Sequence, residues 1–138
     1  MSSGGNEAGV ERAREAWNSG NLAGYLELYD DGIRLHGYSP EPMGKEAVRG
    51  FYEQVFAAFD GPQLTFHEVF EEGDSLCINF TMTGKHVADF LGVPGTGRVI
   101  ALPGITVLHF RDGKCVERWS QADMLGLLAQ LGAISPPG

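Results

Sequence analysis

RVIALPGITVLHFRDGKCVERWSQA, residues 98 to 122, runs apolar and β-branched as far as Phe110, turns at Arg-Asp-Gly-Lys, and continues as a polar stretch of strand character. Asp112-Gly113 is the strongest hairpin signal in the chain, since both residue types tolerate the positive φ of a two-residue turn. Upstream, LTFHEVFEE and SLCINFTMTGKH have the same composition and are joined by EEGDS, a second turn. The second half therefore reads as hairpin-linked strands.

The first half has a different period. From Glu7 to Trp17, Val10, Ala13, Arg14 and Trp17 recur at spacings of three and four, and in LAGYLELYDDG the residues Leu22, Tyr25, Leu26 and Tyr29 fall on one side. Ile33 to His36 is a short strand between glycines. Lys45 to Phe59 is a third helix, with Val48, Phe51 or Tyr52, Val55 and Phe59 at core spacing. Helices first and hairpins afterwards mean α+β: a curved antiparallel sheet wrapped over the N-terminal helices as a cone.

With 138 residues, the chain has the length of one domain, spanning 1–138 with flexible tails at about 1–6 and 135–138. A net charge of -8 repels phosphate backbones and anionic membrane surfaces, which argues against a nucleic-acid or membrane partner. The start, MSSGGNEAG, has neither the basic residues nor the apolar run of a leader or a span. Cys77 and Cys115 fit neither a disulfide framework nor a zinc site, and two reduced thiols fit a cytoplasmic protein.

GVPGTGR, residues 92 to 98, has a phosphate-loop look, but Arg98-Val99 stands where such a loop needs Lys-Ser/Thr, and a strand follows instead of a helix. It reads as a Gly/Pro bend. His36, His67, His86 and His109 show no metal-binding spacing, so no metal is expected. His36 ends a strand beside GYSP, at the open rim of the cone, and is the best histidine candidate for a site. No nucleophile elbow is present, and neither cysteine has an obvious histidine and acid companion.

What remains is Asp123, at the join between the last strand and the apolar helix beginning Met124-Leu125. An unbroken two-residue turn places Phe110 opposite Cys115, Leu108 opposite Glu117, Thr106 opposite Trp119 and Leu102 opposite Asp123. Trp119, Gln121 and Asp123 then share the face of Leu108 and Phe110, while His109 shares the other with Val107 and Val116. An acid beside aromatic rings has its charged form desolvated and becomes a usable proton shuttle. A plain helix cap, worth about 1 kcal/mol, accounts for the same residue.

GIRLHG, MGKEAVRGFYEQVFAAF, FEEGDSLCINFTMTGKHVADFLGVPGTGR and FRDGKCVERWSQADMLGLLAQLG together resemble the SnoaL-like polyketide cyclase family, small proteins of the nuclear-transport-factor-2-like superfamily. The Trp-x-x-x-Asp before a short helix ending Gln-Leu-Gly is the most specific part. The resemblance implies a cone-shaped α+β barrel with a deep apolar cavity, no metal or organic cofactor, and a homo-oligomer, dimer or tetramer. It implies aldol-type ring closure of a polyketide ester, with an aspartate at the start of the final helix as acid/base, a position matched by Asp123, and a neighbouring-strand histidine, for which His109 is the nearest candidate.

On that reading the ligand is a small hydrophobic or aromatic, polyketide-like molecule. Tyr25, Tyr29, His36, Trp119 and Gln121 would orient its carbonyls and stack on it, with Phe80 and Phe110 among the rings lining the cone. The alternatives are a non-catalytic hydrophobic-ligand or association module of the same fold, and a related isomerase, hydratase or epoxide hydrolase.

Overall fold

A computed structural model describes residues 3–135. Helix α1 (Ser3–Asn18) buries Val10, Ala13 and Trp17, while Arg14 lies over the Phe66 ring, its guanidinium carbon 5.9 Å from the centroid. The expected tail over 1–6 is helical from Ser3, and Asn6 is buried. Residues 1, 2 and 136–138 lie outside the described residues.

Helix α2 (Leu22–Leu26) is capped by the Asn21 side chain, which accepts from the Gly24 N–H. It stops before Tyr29, which the periodicity had put on the helix; Tyr29 instead opens β1 (Tyr29–His36). The cause is tertiary. The Cys115 N–H donates to the Leu28 carbonyl at 2.8 Å, so the last strand captures this backbone as sheet. Helix α3 (Lys45–Ala58) buries Val48, Tyr52, Val55 and Ala58, and its chain passes directly into β2 (Phe59–Glu72).

Strands β3 (Ser75–His86), β4 (Val99–Arg111) and β5 (Lys114–Ala122) complete one five-stranded sheet of order β1-β5-β4-β3-β2, followed by α4 (Met124–Gln130). Four strands are antiparallel as expected, but β1 runs parallel to β5. Register shifts in β2, after Asp60 and after Phe66, add residues that bend the sheet around the helices. Gly104 in β4 leaves room for the Phe80 ring, which an added Cβ would meet at 2.6 Å.

The segment containing GVPGTGR is the bend between β3 and β4, held by the Thr96 N–H donating to Nδ1 of buried His86 at 3.2 Å. Both cysteines are unpaired, and burial pushes the Cys115 thiol up to about 11, so it stays protonated. Among the described residues no helix is long and apolar enough to cross a membrane.

Candidate functional site

Between the helices and the concave face of the sheet lies a cavity of about 490 Å³, within the range that holds drug-sized ligands. Its walls are mainly apolar, with Trp17, Phe51, Leu64, Phe66, Phe80 and Leu102 among them. Its polar groups are Tyr25, Tyr38, Tyr52, Thr106, Arg118, Ser120 and Gln121. Among the described residues no Asp, Glu or His side chain lines it.

A bulge decides which residues of β5 point inward. Arg111 pairs with Lys114 and Phe110 with Cys115, as a two-residue turn requires, but His109 then pairs with Glu117. One extra residue has entered β5, and the register beyond it slips by one, so every later side chain changes face. Leu108 stands opposite Arg118 and Thr106 opposite Ser120, while Trp119 stands opposite Val107. The register derived from the turn alone is therefore wrong beyond Cys115: Arg118 and Ser120 face the cavity, and Trp119 joins His109 on the outer face.

There Trp119, 38% exposed, stacks on His36 with centroids 5.1 Å apart and planes 9° apart, and meets His109 edge-on at 4.8 Å. His36 is further held by Glu117 through an Nε2 to Oε2 contact of 2.7 Å. Neither His36, Trp119 nor His109 lines the cavity. Of the other sequence candidates, Tyr25, Phe80 and Gln121 line it, whereas Tyr29 and Phe110 are buried behind its wall.

Asp123 is the N-cap of α4: its Oδ1 accepts from the Gly126 N–H at 2.8 Å, and the side chain is exposed. Gln121, Ala122 and Met124 on either side all line the cavity, whereas Asp123 itself does not and its carboxylate is exposed to solvent.

The polar end of the cavity is a closed ring of hydrogen bonds that the sequence reading did not find. Buried Arg118 donates from Nη1 to the hydroxyls of Tyr25 at 2.8 Å and Tyr29 at 2.5 Å, and from Nε to Thr106 Oγ1 at 2.8 Å. Tyr29 meets Tyr52 at 2.7 Å, and Tyr52 meets Tyr38 at 2.9 Å. Ser120 closes the ring, 3.4 Å from Tyr38 and 2.9 Å from Thr106.

Arg118 has no carboxylate partner among the described residues. Burial opposes its charge, but the surrounding phenol oxygens of Tyr25, Tyr29, Tyr38 and Tyr52 outweigh that and keep it protonated. Burial also raises the Tyr29 and Tyr52 phenols well above their usual 10, so both are neutral hydroxyls near neutral pH. The cavity thus offers rigid neutral donors polarised by a cation, suited to carbonyl oxygens that gain negative charge.

A family model for SnoaL-like polyketide cyclases matches residues 8–131. The chain belongs to that family. Among curated SnoaL-like relatives, the aklanonic acid methyl ester cyclase DnrD of Streptomyces peucetius is 30% identical, over 89% of this chain and 88% of that protein. The aklanonic acid methyl ester cyclase AcmA of Streptomyces galilaeus is 27% identical, over 91% and 89%. Among solved structures, AclR from Streptomyces galilaeus, described as a candidate hydroxylase, superposes with a TM-score of 0.89 at 27% identity over 96% of this chain and 99% of that one. TsrD from Streptomyces laurentii superposes with 0.86 at 25% identity over 97% and 99%.

Proposed function

We propose that the chain closes a ring in a polyketide ester by intramolecular aldol reaction inside this cavity. The observation that carries the reading is an apolar cavity whose polar groups gather around Arg118, a shape for a flat, carbonyl-bearing ligand. The curated relatives named as aklanonic acid methyl ester cyclases support the substrate class.

In such a reaction a proton leaves a carbon flanked by carbonyls, the carbanion adds to a second carbonyl carbon of the same molecule, and the new alkoxide takes a proton. Nothing is gained or lost overall. The substrate's own carbonyls delocalise the carbanion, so the reaction requires no cofactor.

Asp123 is the base in this proposal, receiving the proton and returning it to the alkoxide. Its Oδ2 makes no hydrogen bond among the described residues, which leaves that oxygen for a proton. His109, on the outer face, takes no part.

The test is to incubate the protein with aklanonic acid methyl ester and follow the ester to a cyclised isomer of unchanged mass. Asp123→Asn is the informative variant, because Asn caps a helix as well as Asp does and so removes the base while keeping the cap. Its rate is expected to fall about 10²-fold. Wild-type turnover by that variant would end the assignment, and tight binding without ring closure by the wild type would favour a ligand-binding module.

The reading includes a cytoplasmic homo-oligomer, dimer or tetramer, supported by Ile105 and Trp119, which are exposed on the shared outer face of β4 and β5. Sedimentation is expected to give a multiple of the 14.9 kDa chain, and a monomer at tens of micromolar would contradict it.

A further inference from the structure

Each hydroxyl in the ring has one proton to place, and the Arg118 guanidinium, which can only donate, fixes the direction of the chain. Tyr29 accepts from Arg118, so its own proton points to Tyr52, the nearest oxygen at 2.7 Å. Tyr52 has then accepted, and its proton points to Tyr38 at 2.9 Å. On the other side, Thr106 accepts from Arg118 Nε and donates to the Trp119 carbonyl at 2.9 Å.

Ser120 has Thr106 Oγ1 nearer for its proton, at 2.9 Å, and stands toward Tyr38 only as a donor, so Tyr38, once it accepts from Tyr52, has no acceptor for its own proton among the described residues. Tyr38 lines the cavity and is half-buried, on the segment leaving β1. Each donor in a run of hydrogen bonds strengthens the next, so the Arg118 charge is felt at the far end.

We infer that the Tyr38 hydroxyl donates to an oxyanion of the bound ligand, and that Arg118 is the positioning residue that aims and strengthens it through Tyr29 and Tyr52. The ligand accordingly carries an enolate, phenolate or alkoxide oxygen at this end of the cavity. The inference rests on the cavity being the ligand site of the proposed function, but it requires no turnover.

The probe is alizarin, a hydroxyanthraquinone whose visible spectrum reports ionisation of its phenol. Bound to the wild type, its titration midpoint is expected to fall by about one pH unit, a tenfold preference for the anion. Tyr38→Phe should abolish that fall while the protonated dye still binds within about threefold, since only one hydroxyl has gone. Arg118→Met should abolish it as well, and the double variant should lose no more than either single one, the mark of groups acting in one chain. Tyr52→Phe, which cuts the chain but leaves both Arg118 and Tyr38, should abolish the fall as Arg118→Met does.

A full shift in Tyr38→Phe would overturn the inference, as would additive losses in the double variant or failure of the wild type to bind the dye. Loss of ring closure with the dye shift intact would instead count against the cyclase reading alone.

Discussion

Gly37→Ala is expected to destabilise the protein by about 4 kcal/mol, well beyond an ordinary surface change. Gly37 has φ +95°, where an L side chain is strained, and a Cβ there would sit 1.9 Å from the Ser120 carbonyl oxygen and 3.0 Å from its carbon. The backbone strain alone costs on the order of 1–2 kcal/mol. The overlap adds to it, because the obstacle is the backbone of β5 rather than the end of a flexible side chain. Gly20→Ala supplies the control, having φ +81° with nothing within 4 Å of the added atom, and should cost only the strain. Thermal unfolding is the measurement, with a fall of roughly 15 °C for Gly37→Ala and a few degrees for Gly20→Ala. Equal falls would show that the close approach contributes nothing.

The position matters because Gly37 follows the strand that pairs with β5 and precedes Tyr38, while Ser120 belongs to the hydrogen-bonded ring. Separating the two backbones would displace Tyr38 and Ser120 together. The close approach of a glycine to a carbonyl is thus what seats the terminal hydroxyl of the chain beside the cavity.

Much of the architecture follows from local pattern. Val10, Ala13 and Trp17, and then Val48, Tyr52 and Val55, are buried at the helical spacings that single them out. Asp112 has φ 54° and Gly113 φ 81°, the conformation that makes Asp-Gly a turn. Tyr29 departs from its helical periodicity because β5, 86 residues later in the chain, supplies its sheet partner Cys115. Period alone cannot carry that information, since pairing between distant strands overrides local propensity.

The site was less legible for one reason. The turn fixes the hairpin register only as far as Cys115, and the bulge beyond it has no glycine, proline or other local marker in KCVERW. A slip of one residue exchanges the two faces, so the same strand presents Arg118 and Ser120 inward in place of Trp119. A charged residue in a polar strand reads as solvent-facing unless its buried partners are known. Here those partners come from α2, β1, α3 and β4, and only the fold brings them together.

Arg118→Met is expected to lower the rate of ring closure by 10²- to 10³-fold, a loss of the size seen when one preorganised oxyanion donor is removed, because Tyr38 is then neither aimed nor polarised. Stability should change by no more than about 1–2 kcal/mol. The two halves of that expectation share a cause. A buried ion pair is destroyed badly by removing one partner, because the other charge is left stranded. Arg118 is bonded to neutral hydroxyls instead, so its removal strands no charge, and Tyr29, Tyr52 and Tyr38 keep their mutual contacts. Methionine also fills an irregular apolar space well. A residue retained for packing would give the opposite result, with stability lost and rate kept among the molecules that remain folded. Measuring kcat and KM beside the unfolding midpoint separates the two, and the present geometry predicts a fall in kcat with KM within a few-fold, since the donor chain acts on charge that develops during the reaction.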